Sequence, residues 1–78
     1  MEIFPNPTTG QMFLRGYGLQ CDLVLVEITD IYGNSIPFFY GNTGLGWIEI
    51  NFSPASPGIY FCRIVVDNRL VTRKIIKF

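Results

Sequence analysis

The chain has 78 residues, with six basic and six acidic side chains and no histidine. This length holds a single domain, residues 1–78. The balanced charge argues against a nucleic-acid partner, because such a partner requires a positively charged surface. Without histidine the chain lacks the usual general base, the common catalytic triads and most zinc sites.

Few other groups are candidates for chemistry. Glu27 and Asp30 are the only carboxylates within four positions of each other, and on a strand they point to opposite faces. No calcium loop or phosphate-binding glycine motif is present. No apolar run approaches the roughly 20 residues that span a bilayer. The sequence therefore predicts a non-enzymatic domain with no metal, no cofactor and no transmembrane segment.

The residue composition favours strands. Val, Ile and Thr are frequent, and eight Gly and five Pro interrupt the chain. β-branched side chains fit a pleated sheet and lose rotamer freedom in a helix, and no window repeats apolar residues at helical spacing. Six or seven short strands at this spacing predict an antiparallel sandwich or barrel. The strands that we predict are residues 11–15, 21–29, 35–40, 45–52, 59–66 and 69–77.

Turn residues separate the first of these strands. Residues 5–10 read Pro-Asn-Pro-Thr-Thr-Gly and cannot form a central strand, because two prolines lack an amide donor. Asp30 and Gly33 predict a turn that makes residues 35–40 the hairpin partner of residues 21–29.

The second half of the chain also alternates predicted turns with predicted strands. Residues 41–44 predict another turn, and strict alternation over residues 45–52 predicts a half-buried strand. Residues 67–68 predict a tight turn between the last two strands. Both of those strands carry apolar residues on two faces, so we predict that both are central.

Two cysteines leave two alternatives open. Tyr60 precedes Cys62 by two positions, as in immunoglobulin domains, but no Trp follows Cys21 at the expected distance. Cys21 and Cys62 form either a disulfide between sheets or two separate small core residues. Four aromatic residues similarly line either a sugar-binding face or the edge of the core. They are Tyr17, Tyr32, Tyr40 and Trp47.

Four segments carry a family resemblance through their order and spacing. They are Phe4-Pro5-Asn6-Pro7-Thr8-Thr9-Gly10, Ile28-Thr29-Asp30-Ile31-Tyr32-Gly33, Ser56-Pro57-Gly58-Ile59-Tyr60-Phe61-Cys62-Arg63-Ile64 and Arg73-Lys74-Ile75-Ile76-Lys77. Over nearly its whole length the chain resembles the type A C-terminal sorting domain of the type IX secretion system of Bacteroidetes. The two cysteines and Phe78 depart from the family pattern.

The resemblance implies an immunoglobulin-like sandwich of about seven antiparallel strands that acts as a tag and not as an enzyme. Such domains follow a larger cargo protein, cross the periplasm and direct the cargo through an outer-membrane translocon. A sortase-like peptidase often cuts near the start of the domain and joins the cargo to a surface lipopolysaccharide. The implied final location is the cell surface or the extracellular space. A carbohydrate-binding or adhesion module of a secreted protein is the alternative function.

The resemblance also implies roles in recognition or in the fold. The first motif fixes a rigid entry to the domain, and Asp30 and Gly33 hold a turn. Tyr60 anchors the core with its hydroxyl at the edge, while Lys74 and Lys77 display positive charge beside apolar residues. The full set of sorting-motif residues is Pro5, Asn6, Pro7, Gly10, Asp30, Gly33, Pro57, Gly58, Tyr60, Lys74 and Lys77.

Overall fold

The computed structural model describes residues 2–15, 25–42, 47–66 and 69–78. Within these ranges every regular element is a strand, which confirms the all-β prediction. The strands in chain order are β1 (Glu2–Phe4), β2 (Gln11–Arg15), β3 (Leu25–Asp30), β4 (Phe39–Asn42), β5 (Ile48–Asn51), β6 (Gly58–Val66) and β7 (Arg69–Lys77).

The strands form two antiparallel sheets. One sheet has the order β1-β2-β5-β4 and the other has the order β3-β6-β7. This arrangement corresponds to strands ABED and CFG of a constant-type immunoglobulin sandwich. The immunoglobulin-like sandwich is therefore confirmed.

The core lies between the inner faces of the two sheets, where alternate side chains of each strand meet. In β5 this alternation is the predicted one, because Ile48 and Ile50 are buried and Glu49 and Asn51 are only partly buried. The core residues are Met12, Leu14, Ile28, Ile48, Ile50, Phe52, Tyr60, Cys62, Ile64 and Ile75.

The predicted hairpin between residues 21–29 and 35–40 is wrong. The reversal begins as expected, with a bridge between Thr29 and Ser35 and a hydrogen bond of 2.8 Å from Ile36 N to the carbonyl oxygen of Ile28. The next residue is Pro37, which has no N–H with which to continue the ladder. The chain then crosses to the other sheet, where β4 pairs with β5.

Other boundaries also differ from the prediction. β1 was not predicted, yet Ile3 pairs with Leu14 of β2. Gly41, placed in a turn by the sequence, belongs to β4. β6 is central, but β7 is the outer strand of its sheet, so the prediction that both are central is wrong for β7. The predicted turn at residues 67–68 and the start of the predicted strand 21–29 lie outside the described residues.

Candidate functional site

The last strand places alternate side chains on opposite faces of its sheet. Ile75 and Lys77 are buried on the inner side, whereas Lys74, Ile76 and Phe78 are exposed. An exposed apolar residue on a strand is unremarkable when it is single, but a contiguous group marks an interaction surface. β7 thus carries one face for the core and another for solvent or a partner.

Strand β6 extends this exposed face, because Ile59 lies directly opposite Ile76 and Phe61 opposite Lys74. Near the end of β7, the apolar side chains of Ile59, Ile76 and Phe78 have exposed fractions between 41% and 67%. Lys74 supplies the positive charge beside these side chains and is itself exposed. We call this surface the terminal patch and define it as Ile59, Phe61, Lys74, Ile76 and Phe78.

The expectation that Lys77 displays its charge beside Lys74 is wrong. The side chain of Lys77 is only 7% exposed, because strand alternation directs it to the same side as Ile75. Its Cε atom would lie 3.1 Å from a Cβ atom at Gly10, so its aliphatic stem packs against the first motif. A lysine stem can cover apolar surface in this way while its ammonium stays near water.

Residues 5–10 run beside the outer edge of β7, and we call them the N-terminal strap. The side-chain Nδ2 of Asn6 donates to the carbonyl oxygen of Lys74 at 2.9 Å, and its Oδ1 accepts from Ile76 N at 3.0 Å. Thr8 N donates to the oxygen of Ile76 at 2.8 Å, and Phe78 N donates to the oxygen of Thr8 at 3.0 Å. The first and last motifs, far apart in sequence, are therefore hydrogen-bonded to each other.

Internal contacts fix the shape of the N-terminal strap. The buried hydroxyl of Thr8 donates to the carbonyl oxygen of Gln11 at 2.7 Å and accepts from Gly10 N at 3.0 Å. Gly10 has a φ of +118°, and a Cβ atom there would lie 2.6 Å from the Cα of Ser53. Only glycine allows this close backbone approach, which explains the residue at the end of the motif.

The turn after β3 is held by the carboxylate of Asp30. Its Oδ1 accepts from the backbone N–H groups of Tyr32 and Asn34, both at 2.9 Å. Desolvation alone would raise the pKa of this carboxyl, but these bonds and one from the Asn34 side chain outweigh it and lower the pKa. Gly33 adopts a φ of +85°, as a turn of this kind requires.

Tyr60 anchors the beginning of β6. Its ring is nearly buried and meets Phe52 edge-on at a centroid distance of 5.3 Å. Its hydroxyl donates to the carbonyl oxygen of Ser56, four positions earlier. This is the hydrogen bond of a tyrosine corner. Pro57 and Gly58 lie exposed between these two residues, and Gly58 is the first residue of β6.

These motifs meet at one end of the sandwich. Asp30 pairs with Tyr60, Tyr60 with Ile75, and Gly58 with Lys77. The sequence analysis did not identify Ile59 as an outward-facing residue of the terminal patch. Alternation along residues 59–66 indicates that some of these side chains face outward, but only the pairing with β7 shows which surface they share.

Cys62 is a buried free thiol in the core, and burial raises its pKa to about 12. A thiol with this pKa stays protonated at neutral pH and is a poor nucleophile. Cys21 lies outside the described residues, so its state stays a prediction.

The predicted aromatic residues do not share one surface in the described ranges. Trp47 packs edge-on against Phe4 at a centroid distance of 5.6 Å, and Tyr40 lies 6.1 Å from Phe38. Tyr32 is exposed in the Asp30 turn, and Tyr17 lies outside the described residues. This arrangement gives no support to a sugar-binding face.

Within the described residues, no group of three His, Cys, Asp or Glu side chains could hold a metal ion. The same ranges contain no helix with the length and apolarity needed to cross a membrane. A search of curated proteins found no match. A family model described as the secretion system C-terminal sorting domain matches residues 2–78.

Proposed function

The chain belongs to the family of secretion system C-terminal sorting domains, and on that basis we propose that the outer-membrane translocon binds its terminal patch. The domain is a sorting signal for type IX secretion, linked to a cargo protein that is secreted. The family is not an enzymatic one. The proposal concerns which surface of the domain carries the signal.

The exposed face of β6 and β7 supports this choice. Three large apolar side chains there, Ile59, Ile76 and Phe78, are exposed outside the core, and Ile59 lies directly opposite Ile76 across the two strands. A partner that covered them would remove apolar area from water at about 25 cal/mol per Å². Lys74 adds a charge that can pair with an acidic group of that partner and so orient it.

We also propose the export route that the family resemblance implies. The cargo chain precedes the domain, enters the periplasm in transit and leaves through the translocon to the cell surface or the medium. A sortase-like peptidase is the second partner, and it cuts near the start of the domain.

The test places a reporter protein ahead of the domain in a bacterium with a type IX system. Lys74→Glu reverses the charge in the terminal patch, and the control Arg69→Glu makes the same change at the exposed far end of β7. We expect the Lys74 variant to retain most of the reporter inside the cell and the control to export it normally. Deletion of residues 74–78 should abolish export.

Two checks make the result decisive. Circular dichroism of each purified variant must show the β-sheet spectrum of the parent chain, so that lost export is not lost folding. Equal export by Lys74→Glu, by a second variant Ile76→Ser and by the control would refute the assignment of the terminal patch, even if the deletion blocks export.

A further inference from the structure

The outer edge of β7 has no neighbouring strand in its sheet, and a side chain of the N-terminal strap bonds part of it. A strand edge exposes unpaired N–H and C=O groups that attract other chains. At Lys74 and Ile76 these groups bond to the carboxamide of Asn6, over distances of 2.9 and 3.0 Å. A carboxamide offers one donor and one acceptor in a plane, as a peptide group does.

The sequence around Asn6 explains why a side chain is needed. Pro5 and Pro7 lack an N–H, so the strap has few backbone donors for β7 in this stretch. The next donor is Thr8 N, which already bonds to the oxygen of Ile76. The carboxamide of Asn6 therefore supplies the donor that the prolines remove and reaches the oxygen of Lys74.

These bonds constrain the residues whose side chains form the terminal patch. β6 holds β7 from one side only, and the strap holds the residues after Lys74 from the other side. The last residues of a strand fray when they are paired on a single side. With both sides bonded, Lys74, Ile76 and Phe78 keep the alternation that directs them to one face.

We infer that Asn6 is a positioning residue for sorting: its carboxamide holds β7 in the arrangement in which Lys74, Ile76 and Phe78 form one surface. The inference rests on the proposed function of the terminal patch. Asn6 acts through β7 and not by contact with the translocon. It makes the first motif of the chain part of the same recognition unit as the last.

The test compares Asn6→Ala with Asn51→Ala in the reporter fusion. Asn51 is a matched control, because its side chain also makes two hydrogen bonds, to the backbone and side chain of Ser53, on the other sheet. We expect similar small losses of thermal stability in both variants. Only Asn6→Ala should lower reporter export, by severalfold, and speed exchange of the Ile76 amide by about tenfold.

A second variant covers the case in which Asn6→Ala does not fold. Asn6→Asp keeps an acceptor for Ile76 N but sets a carboxylate against the oxygen of Lys74, so export should again fall. Asn51→Asp keeps both of its bonds, since Oδ1 is the acceptor in each, and should export normally.

The outcomes separate the two proposals. If Lys74→Glu blocks export while both Asn6 variants export like their Asn51 controls, the positioning role is refuted and the terminal patch stands. If the Lys74→Glu and Ile76→Ser variants export the reporter normally, the proposed function of the terminal patch is refuted, and the positioning role that rests on it is refuted with it. An unchanged exchange rate of the Ile76 amide in Asn6→Ala would also overturn the inference, whatever the export result.

Discussion

Replacing Gly10 with alanine should be the most damaging small change in the domain. The new Cβ atom would lie 2.6 Å from the Cα and 2.8 Å from the N of Ser53, and neither backbone atom can move independently of β5. A non-glycine residue at a φ of +118° adds about 1–3 kcal/mol, and overpacking adds about 1–3 kcal/mol more. The sum is about 2–6 kcal/mol, against about 4–12 kcal/mol of total stability for a chain of 78 residues.

Urea unfolding followed by circular dichroism measures this loss, with two alanine variants as references. Gly33 has a φ of +85° but open space around it, so its variant bears only the conformational cost, about 1–3 kcal/mol. Gly41 has neither a positive φ nor a neighbour within 4 Å, so its variant should unfold near the parent midpoint. A Gly10 variant that unfolds at the same urea concentration as the Gly33 variant would refute the close approach to Ser53.

Further expectations concern single hydrogen bonds and two titrating groups. Thr8→Val should cost about 1–3 kcal/mol in urea unfolding, because it removes both bonds of a buried hydroxyl, and Thr8→Ser should restore most of the loss. Tyr60→Phe should cost about 1 kcal/mol by thermal melting, since only the hydroxyl bond to Ser56 is lost. Because burial raises the pKa of Cys62 from 9.0 to about 12, the free energy of unfolding should fall across that range by up to about 1.4 kcal/mol per pH unit. Cys62→Ala should flatten that slope in pH-dependent urea titrations; an equal slope would contradict the assignment. The lowered pKa of Asp30 means that its contribution is present above pH about 4 and is lost as the pH falls through its folded value, so Asp30→Asn should unfold with less dependence on acid.

Strong alternation made the central strands predictable from sequence. β5 and β6 carry buried residues at every second position, as the pattern of residues 45–52 and 59–66 indicates. The turn at Asp30 was predictable for a local reason too, because its carboxylate accepts from the backbone N–H groups of Tyr32 and Asn34, two and four positions later. These features depend on neighbours in the chain.

Sheet membership was not predictable in this way. Residues 35–40 have the pattern of a hairpin partner. Pro37 argues against continued pairing with β3, but it does not indicate which other strand the segment pairs with. β4 pairs with β5, the next strand in the chain, and not with β3 before it. The prediction that β7 is central failed because its outer side is bonded to the N-terminal strap, through the Asn6 side chain and the Thr8 backbone, and not to a strand.

The candidate site was predictable in its parts but not in its geometry. The motifs containing Asn6 and Lys74 were both identified, yet nothing local indicates that they are bonded. Lys77 was expected to display its charge from the family resemblance, and the alternation of β7 reversed that expectation. Charge predicts exposure on average, whereas register decides it at a given position.

The bond between Asn6 and Ile76 joins residues 70 positions apart, which affects the timing of synthesis. At about 5–20 residues per second, roughly 4–14 s separate the appearance of the two ends at the ribosome. Until β7 is made, the carboxamide has no partner. A product that stops before Lys74 contains Asn6 but not the backbone groups that it bonds, so the contact forms only in a chain that extends through Ile76.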